Sequence, residues 1–231
     1  RIGLAPLVID AHEVRLKAHR PKQKSDRRDA REICEGVRGG IYRTIVHVPP
    51  VAITQLRDTL SRRRHFVRVR TAEVNAAKRM MRAAGMGALV RTSLKTEKAW
   101  TRLLEALAND VSMRDFISCH HTLWVQAGVQ VSKLEAMLEQ QGPAFATSLE
   151  RLQGVPGVGT IVALTTVAVF SDVDRFVSAK QAASYAGLTP STHQSGDRDT
   201  HGRITRRGST ELRAMLCEAA HHARLPGHPL N

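Results

Sequence analysis

The stretch Leu149-Glu-Arg-Leu152-Gln-Gly154-Val-Pro-Gly157-Val-Gly159-Thr160 decides the fold of the C-terminal part of this 231-residue chain. Glycines and a proline interrupt a helical pattern here, and the apolar run 161–170 resumes it. The pattern predicts two helices joined by a glycine hairpin, a helix-hairpin-helix arrangement. Backbone amides at Gly157 and Gly159, beside a helix N-terminus, could hold a DNA phosphate without reading the base sequence. The alternative is a tight turn that serves only packing.

A serine beside a glycine, Ser195-Gly196, follows within an expected loop over 190–207. Arg203, Arg206 and Arg207 follow it in the sequence. A glycine lets the backbone approach DNA closely, and each guanidinium group can bind two oxygens of a phosphate at once. The arrangement is what attack by a serine hydroxyl on a phosphodiester needs. Ser191 is a rival hydroxyl, but it has no adjacent glycine.

The region upstream of the glycine hairpin shows a seven-residue periodicity between residues 113 and 141. Four apolar residues recur at this spacing: Ile117, Trp124, Val131 and Leu138. This is the a/d seam of about three heptads. One interpretation is a dimerising coiled coil, and the other is a long helix packed within its own subunit. Gly142-Pro143 ends the pattern and predicts a domain boundary.

Basic residues are concentrated in the helix predicted over 51–84, where Arg62, Arg63 and Arg64 are consecutive. Arginine this dense along one helix favours a phosphate-facing surface, and the alternative is a solvated helix face. Other helices are predicted over 26–37, 97–108, 113–141 and 178–186, with a final helix that Ser209 caps.

The first 50 residues carry an α/β pattern. Strands are predicted over 7–10 and 45–48, with a further extended segment at 14–16, and a helix lies between them. Asp26 and Asp29 begin this helix and share one of its faces, with Cβ atoms roughly 5–6 Å apart. Two such carboxylates can hold a hydrated Mg²⁺. Acidic residues are also favoured in a first helical turn by the helix dipole alone.

The charge balance indicates a polyanionic partner. Lys and Arg number 35 against 21 acidic residues, so the net charge is +14. Nucleic acid is the commonest partner of such a chain, although basic enzymes and ribosomal-type proteins share this property. An aromatic content of 4% argues against a base-stacking platform for single strands. Three scattered cysteines fit a reducing cytoplasm, and no apolar run reaches the ~20 residues of a membrane span.

Several ordered motifs resemble one known family. They are Lys24-Ser-Asp26-Arg-Arg-Asp29-Ala30, the glycine hairpin, 178–190, Ser195-Gly196 and Gly202-Arg-Ile-Thr205. In this order and spacing they resemble the insertion-sequence-110 transposases, the DEDD family that includes the Piv-like DNA invertases. The resemblance covers nearly the whole chain.

The resemblance implies a function and a set of partners. By this similarity Ser195 would form a 5′-phosphoserine link to DNA. Asp26 and Asp29 would be the last two members of a DEDD tetrad that binds Mg²⁺ in a domain of the RNase H/RuvC type. It also implies double-stranded DNA as substrate, a structured guide RNA, and a homo-oligomer (dimer or tetramer) with a composite active site. A bacterial cytoplasmic, nucleoid-associated protein is expected.

Relative to that family, the chain is expected to be incomplete at both ends. No preceding segment supplies the first Asp and the Glu of the tetrad, and Asp10 is interpreted as a carboxylate at a strand end. Cys217, His221 and His222 have a helix-face spacing, but without a fourth partner they are interpreted as packing and surface residues.

The predicted fold is therefore mixed and mostly α. It comprises a partial RuvC-like α/β segment (1–50), arginine-rich helices with a coiled coil (51–142), and a helical transposase domain with the helix-hairpin-helix (143–231). The predicted function is DNA strand breakage and joining in transposition. Two alternatives stay open: a non-catalytic DNA- or RNA-binding remnant of a transposase, and a RuvC-like resolvase that cuts through metal-bound water alone.

Overall fold

The computed structural model describes residues 7–17, 25–91, 93–195, 198–205 and 208–223. This part of the chain is mostly helical, which confirms the predicted class. Its α-helices are α1 Ala11–Lys17, α2 Asp26–Arg38, α3 Val51–Ala83, α4 Gly87–Val90, α5 Glu97–Ala106, α6 Val111–Gln141, α7 Ala146–Gln153, α8 Thr160–Phe170, α9 Ala179–Tyr185 and α10 Thr210–Ala223. A 3₁₀ turn, Gly142–Phe145, follows α6, and the strands β1 Pro190–Ser195 and β2 Arg198–Ile204 follow α9.

The chain divides into two compact units, Arg1–Pro50 and Val51–Asn231. The described part of the first unit holds α1, α2 and one antiparallel bridge between Ile9 and Ile45. The segments 7–10 and 45–48, predicted as strands, are paired only through this bridge within the described residues, and they do not form an extended ladder there. The RuvC-like character of the segment stays a prediction.

The prediction of an extended segment at 14–16 is wrong, because these residues lie in α1. The side chain of Asp10 accepts a hydrogen bond from the backbone N–H of His12 and so satisfies a free donor at the start of the helix. Glu13 and Lys17 then form an i,i+4 ion pair along it. These local polar contacts favour a helix where alternating hydrophobicity had indicated a strand.

The second unit is built on a long helical hairpin of α3 and α6. The N-terminal half of α3 packs with the C-terminal end of α6, and the opposite ends also pack together, so the two helices are antiparallel. One core gathers α3, α5 and α6 around the buried residues Ala77, Met81, Leu94, Trp100, Leu103, Leu107, Ile117 and Trp124. The other joins α3, α6 and α8 through Ile53, Leu56, Leu60, Leu138, Leu164, Val167 and Ala168.

The predicted a/d seam of α6 is buried within its own subunit. Its four members are 7% exposed or less: Ile117, Trp124, Val131 and Leu138. Ile117 and Trp124 belong to the core shared with α3 and α5, and Leu138 belongs to the core shared with α3 and α8. Of the two interpretations of this periodicity, packing within the subunit is therefore the one that accounts for these residues.

The loop expected over 190–207 is also corrected, because most of it forms the antiparallel hairpin β1–β2. The strands pair from Ser195↔Arg198 at the tip to Pro190↔Ile204 at the base, with an irregularity after Pro190. Almost all of their residues are polar, so the alternation of apolar and polar residues that predicts a half-buried strand is missing from the sequence. Arg206 and Arg207 lie outside the described residues.

Candidate functional site

The hairpin places Ser195 at the end of β1, where its backbone partner in the register is Arg198. A serine and an arginine are thus paired in the backbone register at the hairpin tip. Sequence analysis missed Arg198, although the two residues Gly196-Asp197 between the strands are a known hairpin-turn signal.

Arg203 lies at the other end of the hairpin. It is exposed near the base of β2, five residues or ~16 Å along that strand from Arg198, the register partner of Ser195. The Ser191 hydroxyl, which sequence analysis considered as a rival nucleophile, donates a hydrogen bond to the Arg203 backbone carbonyl at 3.2 Å. Ser191 therefore helps to close the base of the hairpin.

A glycine fixes the chain where it leaves the hairpin for α10. Gly208 has φ of +102°, a region that L side chains rarely adopt, and an ideal Cβ there would lie 2.2 Å from the Tyr185 carbonyl oxygen. Ser209 then caps α10 as predicted, because its hydroxyl accepts a hydrogen bond from the Leu212 N–H at 3.2 Å. The end of the hairpin is thereby held against the end of α9.

Arg213 strengthens the same junction from α10. It is only 8% exposed, and its guanidinium donates to the carbonyl of Ala186 at 3.2 Å. That carbonyl belongs to the C-cap residue of α9, where helix carbonyls lack an intrahelical partner. The buried cation thus joins α9 to α10 and leaves the hairpin between two fixed helix ends.

Some arginines that the composition suggested for nucleic acid are engaged inside the protein. Arg175 lies over the rings of Phe176 and Tyr185, 4.2 Å and 4.4 Å from their centroids. Arg57 donates to the Ala168 carbonyl near the end of α8 at 2.6 Å. It also lines a cavity of about 340 Å³, together with Leu60, Thr165, Tyr185, Ser209 and Glu211.

The predicted arginine run of α3 is split between the interior and the surface. Arg63 forms a two-contact ion pair with Glu135 of α6 at 2.9 Å and 2.7 Å. Arg64 pairs with Glu211 of α10 at 3.3 Å. Arg62 is exposed to solvent. Two of the three guanidinium groups thus already serve to fasten helices together, and the phosphate contacts of all three stay a prediction.

Exposed basic residues continue along α3, which contains nine basic and two acidic residues. Those exposed to solvent are Arg62, Arg68, Arg79 and Arg82. Of the two acidic residues, Asp58 precedes them and Glu73 is hydrogen-bonded to His120 of α6 at 2.6 Å. The exposed side of α3 beyond Asp58 therefore carries cations without an exposed carboxylate among them, a distribution that suits a phosphate backbone.

The glycine hairpin has the predicted helix–turn–helix connectivity, α7 followed by α8. Gly157 has φ of +84°, and an ideal Cβ on it would lie 3.1 Å from the Ala219 carbonyl of α10, so one side of the turn packs closely on that helix. Gly159 occupies the N-cap position of α8, is exposed and faces open space. Phosphate binding by these two glycines stays a prediction.

Asp26 and Asp29 lie in the first turn of α2, exposed and half-buried respectively. No cluster of three or more metal-binding side chains occurs among the residues that the structure describes. Mg²⁺, however, is often bound by one or two carboxylates together with waters and substrate phosphates, so the pair fits part of such a site. The aspartates belong to the first unit and Ser195 to the second.

Glu13 makes polar contacts with two other parts of the first unit, and the sequence did not indicate this role. Its carboxylate accepts hydrogen bonds from the backbone N–H groups of Arg43 at 3.1 Å and Thr44 at 2.8 Å, and it pairs with Lys17. Lys17 and these two amides lower the pKa of Glu13 from 4.5 to about 2. The contacts tie α1 to the segment that forms the bridge at Ile45.

None of the helices in the described ranges is both long and apolar enough to cross a membrane.

Comparison with known proteins addresses the resemblance seen in the sequence. Residues 149–227 match the transposase family IS116/IS110/IS902. The chain is 26% identical over 226 residues to the transposase for insertion sequence element IS1111A of Coxiella burnetii, covering 95% of this chain and 59% of that protein. It is 28% identical over 234 residues to the "Probable family 20 transposase" of Pseudomonas aeruginosa, covering 90% and 64%.

The chain thus spans about three fifths of the length of these two relatives. The match over 149–227 includes the glycine hairpin, the β1–β2 hairpin with Ser195, and α10. The resemblance inferred from the sequence motifs is confirmed: residues 149–227 match the IS116/IS110/IS902 family of transposases, and nearly the whole chain is similar to known transposases.

Proposed function

We propose that the chain breaks and joins DNA strands in the transposition of an insertion sequence, with Ser195 as the nucleophile. The observation that carries this proposal is the register of the β1–β2 hairpin, which sets Ser195 opposite Arg198 within the matched transposase domain. An arginine at the register position opposite the serine would bind the non-bridging oxygens of a DNA phosphate and stabilise the charge that develops there.

The proposed step is a transesterification. The Ser195 Oγ attacks the phosphorus of a DNA phosphodiester and forms an Oγ–P bond, while the bond from phosphorus to the 3′-oxygen breaks. The proton lost by the hydroxyl is balanced by the one that the departing 3′-oxygen gains. DNA remains joined to the protein through a 5′-phosphoserine, and attack by another 3′-hydroxyl on that ester would reverse the step and join strands.

Mg²⁺ is proposed as the cofactor, held by Asp26 and Asp29 with water and substrate phosphate. Bound there, it would supply positive charge to a phosphate oxygen. The two aspartates contribute oxygen ligands only, and the step described above uses no group other than the serine, the arginine and the DNA.

Nucleic-acid binding is supported by a separate observation, the exposed cations of α3. We propose that Arg62, Arg68, Arg79 and Arg82 contact the phosphates of double-stranded DNA or of a structured guide RNA. This observation alone would also fit the second candidate, a transposase remnant that binds nucleic acid without cutting it. The two candidates differ in whether a covalent adduct forms.

The decisive experiment looks for that adduct. The protein is incubated with a labelled duplex that spans the end of its insertion sequence and is then denatured, so that only covalently attached label migrates with the protein. Ser195→Ala should abolish the labelled band, and Ser191→Ala is the matched control that should retain it. Undiminished adduct in Ser195→Ala would remove Ser195 from the mechanism.

A second variant separates the resolvase alternative. If the protein cuts through metal-bound water alone, Asp26→Asn should abolish cleavage, while Ser195→Ala should leave it intact.

Arg198→Ala should lower adduct formation about 10²–10³-fold, the usual effect of losing one group that stabilises the transition state. Adduct formation at the unaltered rate in Arg198→Ala would show that the cross-strand arginine plays no part.

A further inference from the structure

The cavity of about 340 Å³ in the second unit is lined by residues of α3, α8, α9 and the start of α10. Its size lies within the ~300–1,000 Å³ of small-ligand sites. Three of its lining residues are almost fully buried, since Leu60, Thr165 and Ala168 are 4%, 3% and 2% exposed. Tyr185 also lines the cavity and is 42% exposed. The cavity therefore extends from solvent to an inner wall within the core.

Two opposite charges line this cavity without meeting. Arg57 donates to the carbonyls of Ala168 and Val169 at 2.6 Å and 3.3 Å, and these contacts hold its guanidinium against the end of α8. Glu211 is paired with Arg64 at 3.3 Å. Between Arg57 and Glu211 themselves, both of which lie in the described ranges, there is no ion pair within 4.0 Å. An acid and a base that share a cavity in this way are both accessible to a ligand.

Both groups retain hydrogen-bonding capacity. A guanidinium carries more N–H donors than the contacts of Arg57 with the end of α8 engage. The ion pair with Arg64 engages Oε2 of Glu211 and leaves Oε1 without a hydrogen-bond partner among the described residues. A cation and a carboxylate above apolar walls match a planar ligand with acceptors on one edge and donors on another.

Among the nucleobases, guanine matches this pair of groups best. Its O6 and N7 are adjacent acceptors, and they are the commonest partners of an arginine on a base. Its N1–H and N2–H are adjacent donors, which one carboxylate can accept together. None of the other bases offers both a pair of adjacent acceptors and a pair of adjacent donors from separate ring positions.

We propose that this cavity binds one unpaired guanine of DNA or RNA, with Arg57 at its O6/N7 edge, Glu211 at its N1/N2 edge and the Tyr185 ring against its plane. Since N1 and N2 take part in base pairing, the guanine must be extruded from a duplex or belong to a loop. One aromatic ring serves one base, which agrees with an aromatic content of only 4%. The inference rests on the proposed nucleic-acid binding and adds a position at which a base is recognised.

Base analogues test the proposal on the unaltered chain. Fluorescein-labelled stem-loops carry a single guanine in a loop of thymines (DNA) or uracils (RNA), and fluorescence anisotropy measures their binding. Inosine lacks the N2 amino group of guanosine, and 7-deazaguanine lacks the N7 acceptor. Each replacement should weaken binding at least about fivefold, the lower end of what one paired base contact contributes. The stem-loop that shows this preference, DNA or RNA, identifies the source of the base.

Two variants connect these losses to the protein. Glu211→Ala should abolish the preference for guanine over inosine. Arg57→Lys keeps the charge but not the planar fork, so it should abolish the preference for guanine over 7-deazaguanine. Arg64→Ala is the matched control, because it breaks the same ion pair as Glu211→Ala but should retain both preferences. Far-ultraviolet circular dichroism of each variant confirms that the helices are retained.

Equal binding of the guanine, inosine and 7-deazaguanine stem-loops would overturn the proposal. So would equal loss of the inosine preference in Glu211→Ala and Arg64→Ala, because Glu211 would then act only through its ion pair. If no stem-loop binds at all, the nucleic-acid binding on which the proposal rests is contradicted too. Because no covalent product is measured, each outcome is independent of whether Ser195 forms an adduct.

Discussion

Glu13 shows how one side chain can decide the conformation of a short segment. Its carboxylate binds the backbone N–H groups of Arg43 and Thr44, some thirty residues further along the chain. A carboxylate that accepts such hydrogen bonds is stabilised in its charged form, which is why its pKa falls. The apolar residues around it indicated a strand, and the helix is accounted for by these distant contacts together with the local ones at Asp10 and Lys17.

The lowered pKa predicts how the first unit responds to acid. A carboxyl group whose folded pKa lies below its unfolded value stabilises the fold above pH 4.5, and this contribution is lost as the pH falls towards about 2. Followed by NMR, the amide of Thr44 should titrate with a midpoint near 2. Glu13→Gln should remove this titration, and a midpoint near 4.5 in the unaltered chain would contradict the hydrogen-bonded geometry.

The arginines illustrate what could not be predicted at the level of single residues. Composition correctly indicated an excess of cations, but it could not show that Arg57 meets a carbonyl 111 residues away, or that Arg175 lies over two aromatic rings. Those partners are set by tertiary packing. Sequence alone therefore overestimates how many cations are free for phosphate.

At the level of elements, α3 separates structural arginines from exposed ones. Arg63 is held by Glu135, whereas Arg68 and Arg79 are exposed. Each phosphate contact contributes about 0.9 to the slope of log K against log salt for duplex DNA. The pair Arg68→Ala/Arg79→Ala should therefore lower that slope by about 2.

The slope is measured by fluorescence anisotropy of a labelled duplex over a range of salt concentrations. Arg63→Ala is the control with one charge removed, and it should leave the slope nearly unchanged while lowering the thermal midpoint of unfolding. Equal slopes for the unaltered chain and for the double variant would exclude this face of α3 from the interface.

The hairpin and α6 show which elements sequence patterns can identify. The seven-residue period of α6 correctly located the buried seam, because a helix face must match its partner along its whole length. The same period could not say whether that partner was α3 or another subunit. The β1–β2 hairpin was missed because almost all of its residues are polar, although the sequence Gly196-Asp197 does indicate a hairpin.

At the level of the whole molecule, the two units differ in how much they bury. The buried hydrophobic residues of the described ranges all lie in the second unit, whereas Gly36 is the one buried residue among those described in the first. Leu7, Ile45 and Val48 in the first unit are more than half exposed. Local sequence predicted the helix α2 correctly, but the partners of a strand are non-local and could not be derived from 7–10 and 45–48.

This difference predicts unequal protection from hydrogen exchange in the isolated chain. Opening free energies range from near zero for segments with few buried contacts up to the global value for core helices. Amides of α2 should therefore exchange at least about 100-fold faster than those of α8, whose residues Ala163, Leu164 and Ala168 are almost fully buried. Peptide-level mass spectrometry resolves the two helices.

Local helix propensity does not explain the expected contrast, because α2 and α8 are of similar length, 13 and 11 residues, and α8 is rich in β-branched residues that disfavour helix. Leu164→Ala, which removes buried apolar surface, should raise exchange in α8 and leave α2 unchanged. Comparable protection of the two helices in the unaltered chain would mean that the first unit gains stability from contacts beyond its own described residues.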